Sequence, residues 1–240
     1  MNPVRESRVQ RVRHELKRRD VEVVKVEPLG RHFVAVTFRG EELADFVSAS
    51  FDDHVKFIFD DGGAEPVRRD YTPRRYDREA RELTIEFALH GDGKASSWAR
   101  QAAVGQRATI GGPRGSMIVP IDYAWHLLAG DATALPAIRR RIEELPSSVR
   151  AIVVVACEDV ATLTSAAQLD VWQVADGAAL VEAIRAIPLP PDDAFVWFGG
   201  EASIAAKVRD VVHGEKGFPR TASRISAYWK EGASDHHEDL

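Results

Sequence analysis

Hydrophobic and polar residues alternate in short runs through the first half of the chain, and this period of two predicts β-strands. The predicted strands are Val21–Val26, Phe33–Phe38, Val55–Phe59, Leu83–Leu89 and Arg107–Ile110. Turn-rich stretches such as Asp60–Gly63 separate them, which is typical of an antiparallel barrel or sandwich. We therefore predict a small antiparallel β-barrel. The basic leader before it, Arg5–Arg19, is expected to be helical.

From about Tyr123 the pattern changes to apolar strands that alternate with amphipathic helices. The predicted strands are Trp125–Ala129, Ala151–Ala156, Val171–Val174 and Phe195–Phe198, and the predicted helices are Leu135–Leu145, Ala178–Ile187 and Ala202–Val212. Such alternation predicts βαβ units around a mostly parallel sheet. The expected fold class is thus a β-barrel domain over residues 1–122, followed by an α/β domain over residues 123–240 that is a candidate for nucleotide binding.

The composition is that of a soluble globular protein, with 45% hydrophobic and 29% charged residues in a chain of 240. The net charge of −5 argues against general nucleic-acid binding, which needs clustered positive charge. No apolar run reaches the roughly 20 residues of a membrane span, and no signal peptide is evident. We expect a cytoplasmic monomer that binds neither nucleic acid nor a membrane. The single cysteine, Cys157, is expected to be buried.

The segment Arg69–Arg74, with the sequence RDYTPR, combines several groups that a flavin nucleotide needs. The ring of Tyr71 offers a flat apolar face to a planar cofactor, and the hydroxyl of Thr72 can hydrogen-bond the flavin ring or its ribityl chain. Arg69 and Arg74 can neutralise a pyrophosphate. A strand end with two solvated arginines is the alternative that this motif leaves open.

A glycine-rich turn after the predicted strand Leu83–Leu89 leads into a short amphipathic helix, and the alternation turns His90 away from the core. The apolar stripe of the helix consists of Ala95, Trp98, Ala99 and Ala102. At the start of the helix, Lys94, Ser96 and Ser97 add donors to the free N–H groups, which suits a diphosphate. An ordinary capped helix start is the alternative. Together with RDYTPR, however, this element favours a flavin site.

Two strand ends in the second half have features of a nucleotide site. Asp131 and Thr133 lie between an apolar strand and a helix, at the strand's carboxyl end, where open α/β sheets bind nucleotides. After the strand Phe195–Phe198, Gly200 allows close backbone approach, and Glu201 either contacts a nicotinamide or ribose or caps the next helix. The chain contains neither a G-x-G-x-x-G nor a Walker pattern.

Two further basic residues lie in otherwise structural surroundings. Alternation places Lys56 opposite to Val55 and Phe57, and therefore outward or in a cleft. Arg114 lies in a glycine-rich turn at the end of the barrel half. Either residue can bind an anion, or be a solvated surface charge. The sequence offers no set of residues at metal-ligand spacing and no G-x-S-x-G elbow.

A series of short motifs runs through the chain in a fixed order. The motifs are FDDHVK at 51–56, RDYTP at 69–73, FALH at 87–90, GKASSWA at 93–99, GPRGS at 112–116, GD at 130–131, LPA at 135–137 and AYW at 227–229. This series resembles the siderophore-interacting protein family, a branch of the ferredoxin–NADP reductase-like flavoproteins. The DDHxK and GPRGS elements are similar to those of bacterial NADPH-dependent ferric-chelate reductases.

The resemblance implies an oxidoreductase that passes electrons from NADPH or NADH through bound FAD to a ferric siderophore and releases Fe(II). Lys56 and Arg114 would grip the anionic siderophore, for example a triscatecholate. The predicted cofactor-binding residues are Arg69, Tyr71, Thr72, Arg74, Phe87, His90, Gly93, Lys94, Ala95, Ser96, Ser97, Asp131, Thr133, Gly200, Glu201 and Trp229. Trp229 either covers the flavin or packs the C-terminus. No catalytic side chain and no protein-bound metal are predicted, because the cofactors carry the redox chemistry.

The chain departs from the family pattern at Ala132, where many relatives have glutamate near the nucleotide site. This departure motivates two alternatives: a siderophore- or flavin-binding module that does not turn over NADPH, and a reductase that takes electrons from reduced ferredoxin. A general flavin reductase that releases reduced flavin is a third possibility.

Overall fold

The computed structural model of the chain describes residues 8–89, 93–158, 160, 163–190 and 193–232. These residues form two compact units. The first unit is Arg11–Ile118. The second unit joins the described residues from Val119 onward to residues 8–10.

The first unit is an antiparallel β structure. Its strands are β1 (Gln10–Arg13), β2 (Arg18–Leu29), β3 (Phe33–Arg39), β4 (Val55–Phe59), β5 (Val67–Tyr71), β6 (Arg75–Asp77), β7 (Glu82–Ala88), β8 (Arg107–Gly111) and β9 (Gly115–Ile118). Seven of them form one sheet in the order β5-β4-β8-β2-β3-β7-β6, and β1 pairs with β9. The sheet curls so that Tyr71 of β5 lies 4.4 Å from Phe87 of β7, measured between ring centroids. The predicted barrel is confirmed.

Alternation in the sequence builds the barrel core. In β4 the side chains of Val55, Phe57 and Phe59 are buried, whereas Lys56 is exposed. The helix α1 (Lys94–Arg100) closes one side of this core and buries Ala95 and Ala99. Its Trp98 ring packs edge-on against Phe57, with 4.7 Å between the centroids. The stripe predicted for this helix therefore faces the barrel.

The prediction of a helical leader is wrong for the part of it that the structure describes. Residues 10–13 form β1, and β2 already begins at Arg18. The cause is a non-local contact, since Gly115 of β9 has no side chain and a Cβ atom there would lie 2.4 Å from the carbonyl oxygen of Val12. Pairing with a distant strand thus overrides the local helix propensity.

The second unit is an α/β structure. Its strands are β10 (Trp125–Asp131), β11 (Arg150–Ala156), β12 (Gln168–Gln173), β13 (Ala194–Glu201) and β14 (Ser223–Trp229), and its helices are α2 (Leu135–Glu144), α3 (Gly177–Ala186) and α4 (Ala202–Arg209), which continues as a π-helix over Asp210–Glu215. The five strands pair in parallel in the order β12-β11-β10-β13-β14. The predicted parallel sheet is confirmed.

Two details of the second unit differ from, or add to, the sequence analysis. Cys157 is partly exposed, not buried, because β11 ends at Ala156 and the chain leaves the sheet there. The second unit also holds Arg8, whose guanidinium pairs with Asp122 and with Asp193, the latter at 2.7 Å. The same guanidinium lies 4.2 Å from the centroid of the Tyr123 ring.

Candidate functional site

The predicted flavin edge lies on β5 and directly after it. Tyr71 packs its ring against Phe57 and Phe87 of the core. Burial raises the pKa of the Tyr71 phenol well above its ordinary value, so this side chain is a neutral aromatic surface. Arg69 is half-buried on the same strand, and Thr72 is buried just beyond its end. The strand therefore brings an aromatic ring, a guanidinium and a hydroxyl together.

Arg74 occupies a different environment from Arg69. Its Nε lies 3.0 Å from Oε1 of Glu86, and the two side chains are only 3% and 8% exposed. This ion pair neutralises the guanidinium inside the barrel. This burial favours a role for Arg74 inside the barrel, and its predicted contact with the pyrophosphate stays a prediction.

Two other predicted contacts come from the end of β7. Phe87 is fully buried in the core, and its assignment as a cofactor-binding residue stays a prediction. The aromatic ring fills the barrel, and the alternation that identified this face as the core face had already indicated that role. His90 lies outside the described residues.

The start of α1 fits a ligand that accepts hydrogen bonds. Gly93 caps the helix, and its carbonyl accepts from the amide of Ser97 at 2.8 Å. Ser96 is buried, and its Oγ has no hydrogen-bond partner among the described residues. A buried hydroxyl without a partner is costly, so an acceptor supplied by a bound molecule would satisfy it. Ala95 buries its side chain in the core and offers only its backbone.

Lys94 is less available than the sequence indicated. Its Nζ lies 2.8 Å from Oδ2 of Asp61, and this bond lowers the pKa of the Asp61 carboxyl. The Lys94 ammonium remains exposed, so a diphosphate would have to share it with Asp61.

Lys56 points away from the core, as the alternation predicted. Its Nζ donates to Oδ2 of Asp70 at 2.7 Å, because β4 and β5 pair with Lys56 opposite Asp70. Asp70 was not identified from the sequence, where only the strand register could have revealed it. The pair leaves the ammonium near the surface, with 47% of the lysine side chain exposed.

Arg114 is exposed in the loop between β8 and β9. Gly112 begins the loop with a φ of +83°, a left-handed conformation that favours glycine. Its amide donates to the carbonyl of Lys17 at 2.9 Å, and its carbonyl accepts from the Arg19 guanidinium at 2.9 Å. At the other end, the amide of His14 donates to the carbonyl of Arg114 at 2.9 Å. The loop is thus fixed to the chain just before and within β2.

A buried carboxylate joins the two motifs that carry these basic residues. Oδ2 of Asp53 accepts from the hydroxyl of Ser116 at 2.7 Å and from that of Ser48 at 2.9 Å. Ser116 also bonds Nε2 of His14 at 2.8 Å. The FDDHVK and GPRGS segments are therefore one connected structure, which their separation in the sequence concealed.

In the second unit, the predicted residues gather at the carboxyl ends of β10 and β13. Both neighbours of β10 in the sheet are parallel to it, and the strand order reverses between β10 and β13. This is the switch point at which open α/β sheets bind ligands. A Cβ atom at Gly130 would lie 2.2 Å from the carbonyl oxygen of Gly199, so only glycine permits this close approach of the two strands.

Asp131 connects three strand ends at this edge. Its Oδ1 accepts from the amide and the hydroxyl of Thr133, at 2.8 and 2.5 Å. Its Oδ2 accepts from the amide of Glu201 at 3.1 Å and from Nε1 of Trp229 at 2.9 Å. Trp229 itself is 39% exposed. The bond holds the indole at the carboxyl edge of the sheet, and a Cβ atom at Gly200 would lie 2.8 Å from the same carboxylate.

Glu201 caps α4. Its Oε2 accepts from the amides of Ser203 and Ile204, at 2.6 and 3.1 Å. Burial opposes ionisation, but the bonds from Ser203 and Ile204 outweigh it and lower the pKa of Glu201. Of the two interpretations of this residue, the structure displays the helix cap.

Within the described ranges there is no group of three or more His, Cys, Asp or Glu residues that could hold a metal ion. Across those same residues, no helix has the length and the apolar character needed to cross a membrane.

Two family models match the two halves of the chain. The model described as "Siderophore-interacting FAD-binding domain" matches residues 22–66 and 60–117. The model described as "Siderophore-interacting protein" matches residues 123–232. The first match falls on the barrel, and the second falls on the α/β unit.

Known proteins match over nearly the whole chain. The NADPH-dependent ferric-chelate reductase of Escherichia coli is 35% identical over an alignment that covers 92% of this chain and 96% of that protein. The ferric vibriobactin reductase ViuB of Vibrio cholerae is 27% identical over 91% of this chain and 92% of its own length. The crystal structure of a siderophore utilization protein from T. fusca superposes with a TM-score of 0.86 and 31% identity, over 95% of this chain and 99% of that one.

Proposed function

Because this chain belongs to the siderophore-interacting protein family, we propose that it is an FAD-containing oxidoreductase that reduces a ferric siderophore with electrons from NAD(P)H. The observation that carries this proposal is the 35% identity to an NADPH-dependent ferric-chelate reductase across both units. Each unit also presents residues suited to its part of the reaction.

In this proposal the barrel binds FAD. The Ser96 hydroxyl lacks a partner among the described residues, and the nearby helix start has free N–H groups, so both fit the phosphate oxygens of a dinucleotide. Arg69 would neutralise phosphate charge, and Thr72 and Tyr71 would border the flavin. FAD held by these residues would supply the redox chemistry, in which oxidation of one NAD(P)H by two electrons is coupled to one-electron reduction of two ferric ions. The protein residues supply position and charge.

In the same proposal NAD(P)H binds at the switch point of the parallel sheet, at the carboxyl ends of β10 and β13. Gly130 and Gly200 are buried and let the strand ends pack closely there, while Asp131 fixes the turn through Thr133 and the edge through Trp229. These bonds order the strand ends before any ligand arrives, which lowers the conformational cost of binding. Ala132 removes an acidic side chain that many relatives carry, but Asp131 keeps a carboxylate at this edge.

The substrate would lie against the outward face of the barrel near Lys56 and Arg114. A ferric triscatecholate is strongly anionic, so two exposed cations raise its local concentration. Reduction releases the metal because hard oxygen donors hold Fe(III) better than the less charged Fe(II). We further propose that the protein acts in the cytoplasm, where reduced nicotinamide nucleotides are available, and that it is a monomer, which gel filtration would test.

The first test is spectroscopic. Purified protein should show flavin absorbance, or gain it when FAD is added. Anaerobic NADPH should bleach this absorbance, and a ferric triscatecholate should restore it with formation of Fe(II). Protein that carries no flavin and gains none would overturn the proposal. A flavin that neither NADPH nor NADH bleaches would favour a binding module or a ferredoxin-dependent reductase.

The second test concerns the substrate residues. The variant Lys56→Ala with Arg114→Ala should bind the ferric siderophore at least tenfold more weakly and keep its FAD. The matched control is Lys25→Ala with Arg107→Ala, which removes two other exposed positive charges from the same barrel. Equal affinity in the two double variants would refute the assignment of Lys56 and Arg114.

A further inference from the structure

Three adjacent strands of the barrel place two basic residues on either side of a glycine. In the pairing of β2 with β8, Arg18 lies opposite Gly111. In the pairing of β4 with β8, Lys56 lies opposite the same Gly111. Residues that are directly opposite in an antiparallel pair point to the same face of the sheet. Arg18, Gly111 and Lys56 therefore form one row across the outer face.

The glycine leaves a gap in this row. Neighbouring strands lie about 4.8 Å apart, so Arg18 and Lys56 are separated by about 10 Å. A Cβ atom at Gly111 would point into the gap, 3.4 Å from the Cβ of Lys56. The neighbouring pair of residues supports this orientation. Thr109 of β8 lies opposite Asp20 of β2, and its hydroxyl donates to Asp20 at 2.8 Å on the same face of the sheet.

Arg18 is also close in the chain to the anchors of the Arg114 loop. The loop amide at Gly112 is bonded to Lys17, and the carbonyl of Arg114 is bonded to His14. Both partners lie within the four residues before Arg18. The segment that carries Arg18 thus also fixes the loop that carries Arg114.

The two basic residues of this row, Lys56 and Arg18, lie in different surroundings. Lys56 donates to Asp70, on the side of β4 away from Gly111. Arg18 is exposed at the start of β2 and points outward, because its neighbour Arg19 is the buried residue of the pair. An anion above Gly111 would therefore meet Arg18 from one side and Lys56 from the other.

We propose that Arg18 is a further substrate-contacting residue, which together with Lys56 binds an anionic ferric chelate across the Gly111 gap. This inference rests on the proposed function, and it deepens that function by making the site selective for chelates of high negative charge. A unit charge about 8 Å from a triply charged anion changes affinity about threefold at 0.1 M salt and about sevenfold at 0.01 M. A neutral ferric chelate would not sense the same charge.

The experiment measures binding of a ferric triscatecholate, and of a neutral ferric trihydroxamate, to the FAD-loaded protein at both salt concentrations. Arg18→Gln should weaken triscatecholate binding about threefold at 0.1 M salt and about sevenfold at 0.01 M, and leave trihydroxamate binding unchanged. Arg18→Lys should restore most of the affinity. The control Arg107→Gln removes an exposed arginine from the far end of β8, opposite Glu22, and should have a smaller effect.

A second variant probes the gap without changing the charge. Gly111→Val puts a branched side chain between the two cations, and it should weaken triscatecholate binding while Lys56 and Arg18 remain. Flavin absorbance and its bleaching by NADPH are measured in every variant, since they report an intact barrel and the proposed function independently.

The outcomes separate the inference from the proposed function. If Lys56→Ala weakens binding but Arg18→Gln matches Arg107→Gln, the inference is overturned and the proposed function stands. If Arg18→Gln weakens both chelates equally, charge recognition by Arg18 is also overturned. If bleaching by NADPH is absent in the unmodified protein, the proposed function fails, whatever the chelate affinities are.

Discussion

The ion pair between Arg74 and Glu86 lies inside the barrel, and removal of one partner should destabilise the first unit strongly. The two side chains are 3% and 8% exposed, and Nε of Arg74 is 3.0 Å from Oε1 of Glu86. Glu86→Gln removes the countercharge from a guanidinium that water cannot readily reach, and such a loss costs about 3–5 kcal/mol. Arg74→Met combined with Glu86→Leu removes both charges, and apolar replacement of a whole buried pair is often neutral or stabilising. We therefore expect the double variant to recover most of the lost stability.

The assay is urea unfolding followed by tryptophan fluorescence, with flavin content measured on the same samples. The matched control is the exposed pair of Arg39 and Glu82, on β3 and β7 of the same barrel. Because solvent screens that pair, Glu82→Gln should cost less than about 1 kcal/mol. If Glu86→Gln costs no more than Glu82→Gln, the argument from burial is refuted. If the double variant is stable but loses its flavin, Arg74 contacts the cofactor after all.

The remaining predictions concern single side chains. Asp131→Asn turns one acceptor oxygen into a donor, so it should shift the emission of Trp229 and raise the KM for NADPH about tenfold at unchanged FAD content; an unaltered KM would contradict it. Burial first, and nearby arginines second, lower the pKa of His126 to about 3. Stability should therefore fall by about 1.4 kcal/mol per pH unit below the unfolded pKa of about 6.5 and level off near pH 3; the same slope in His126→Leu would show that another group titrates. Asp70→Asn removes the negative charge beside Lys56 and should strengthen ferric triscatecholate binding several-fold in titrations. Weaker binding would contradict the interpretation that Asp70 competes with the substrate for Lys56.

The strands of the fold were predictable wherever alternation is local. The bounds predicted for Val55–Phe59 are those of β4, and the apolar runs of the second half all became strands of the parallel sheet. The leader Arg5–Arg19 was not predictable in the same way, because β1 exists through its pairing with β9, about a hundred residues later in the chain. Local propensity contains no information about such a partner.

The candidate site was predictable as a set of segments but not as a set of side-chain partners. RDYTPR contributes half-buried and buried residues, and only the structure separates Arg69 from the interior Arg74. Glu86, Asp70 and Asp61 neutralise residues that the sequence identified as ligand contacts. Each of these acids lies on another strand or loop, so its role follows from register and folding.

The contacts of Arg8 show that the second unit contains residues from the beginning of the chain as well as residues from Val119 onward. Arg8 is held by Asp122, Asp193 and the ring of Tyr123, whereas β1, which begins two residues later, pairs with β9 of the barrel. A C-terminal fragment that begins at Val119 would therefore lack Arg8, although Arg8 belongs to the second unit. Separate production of the two units calls for a circular permutation, in which residues 8–10 are grafted onto the second unit by a linker. The polypeptide therefore passes from one unit to the other twice, once after Gln10 and once after Ile118.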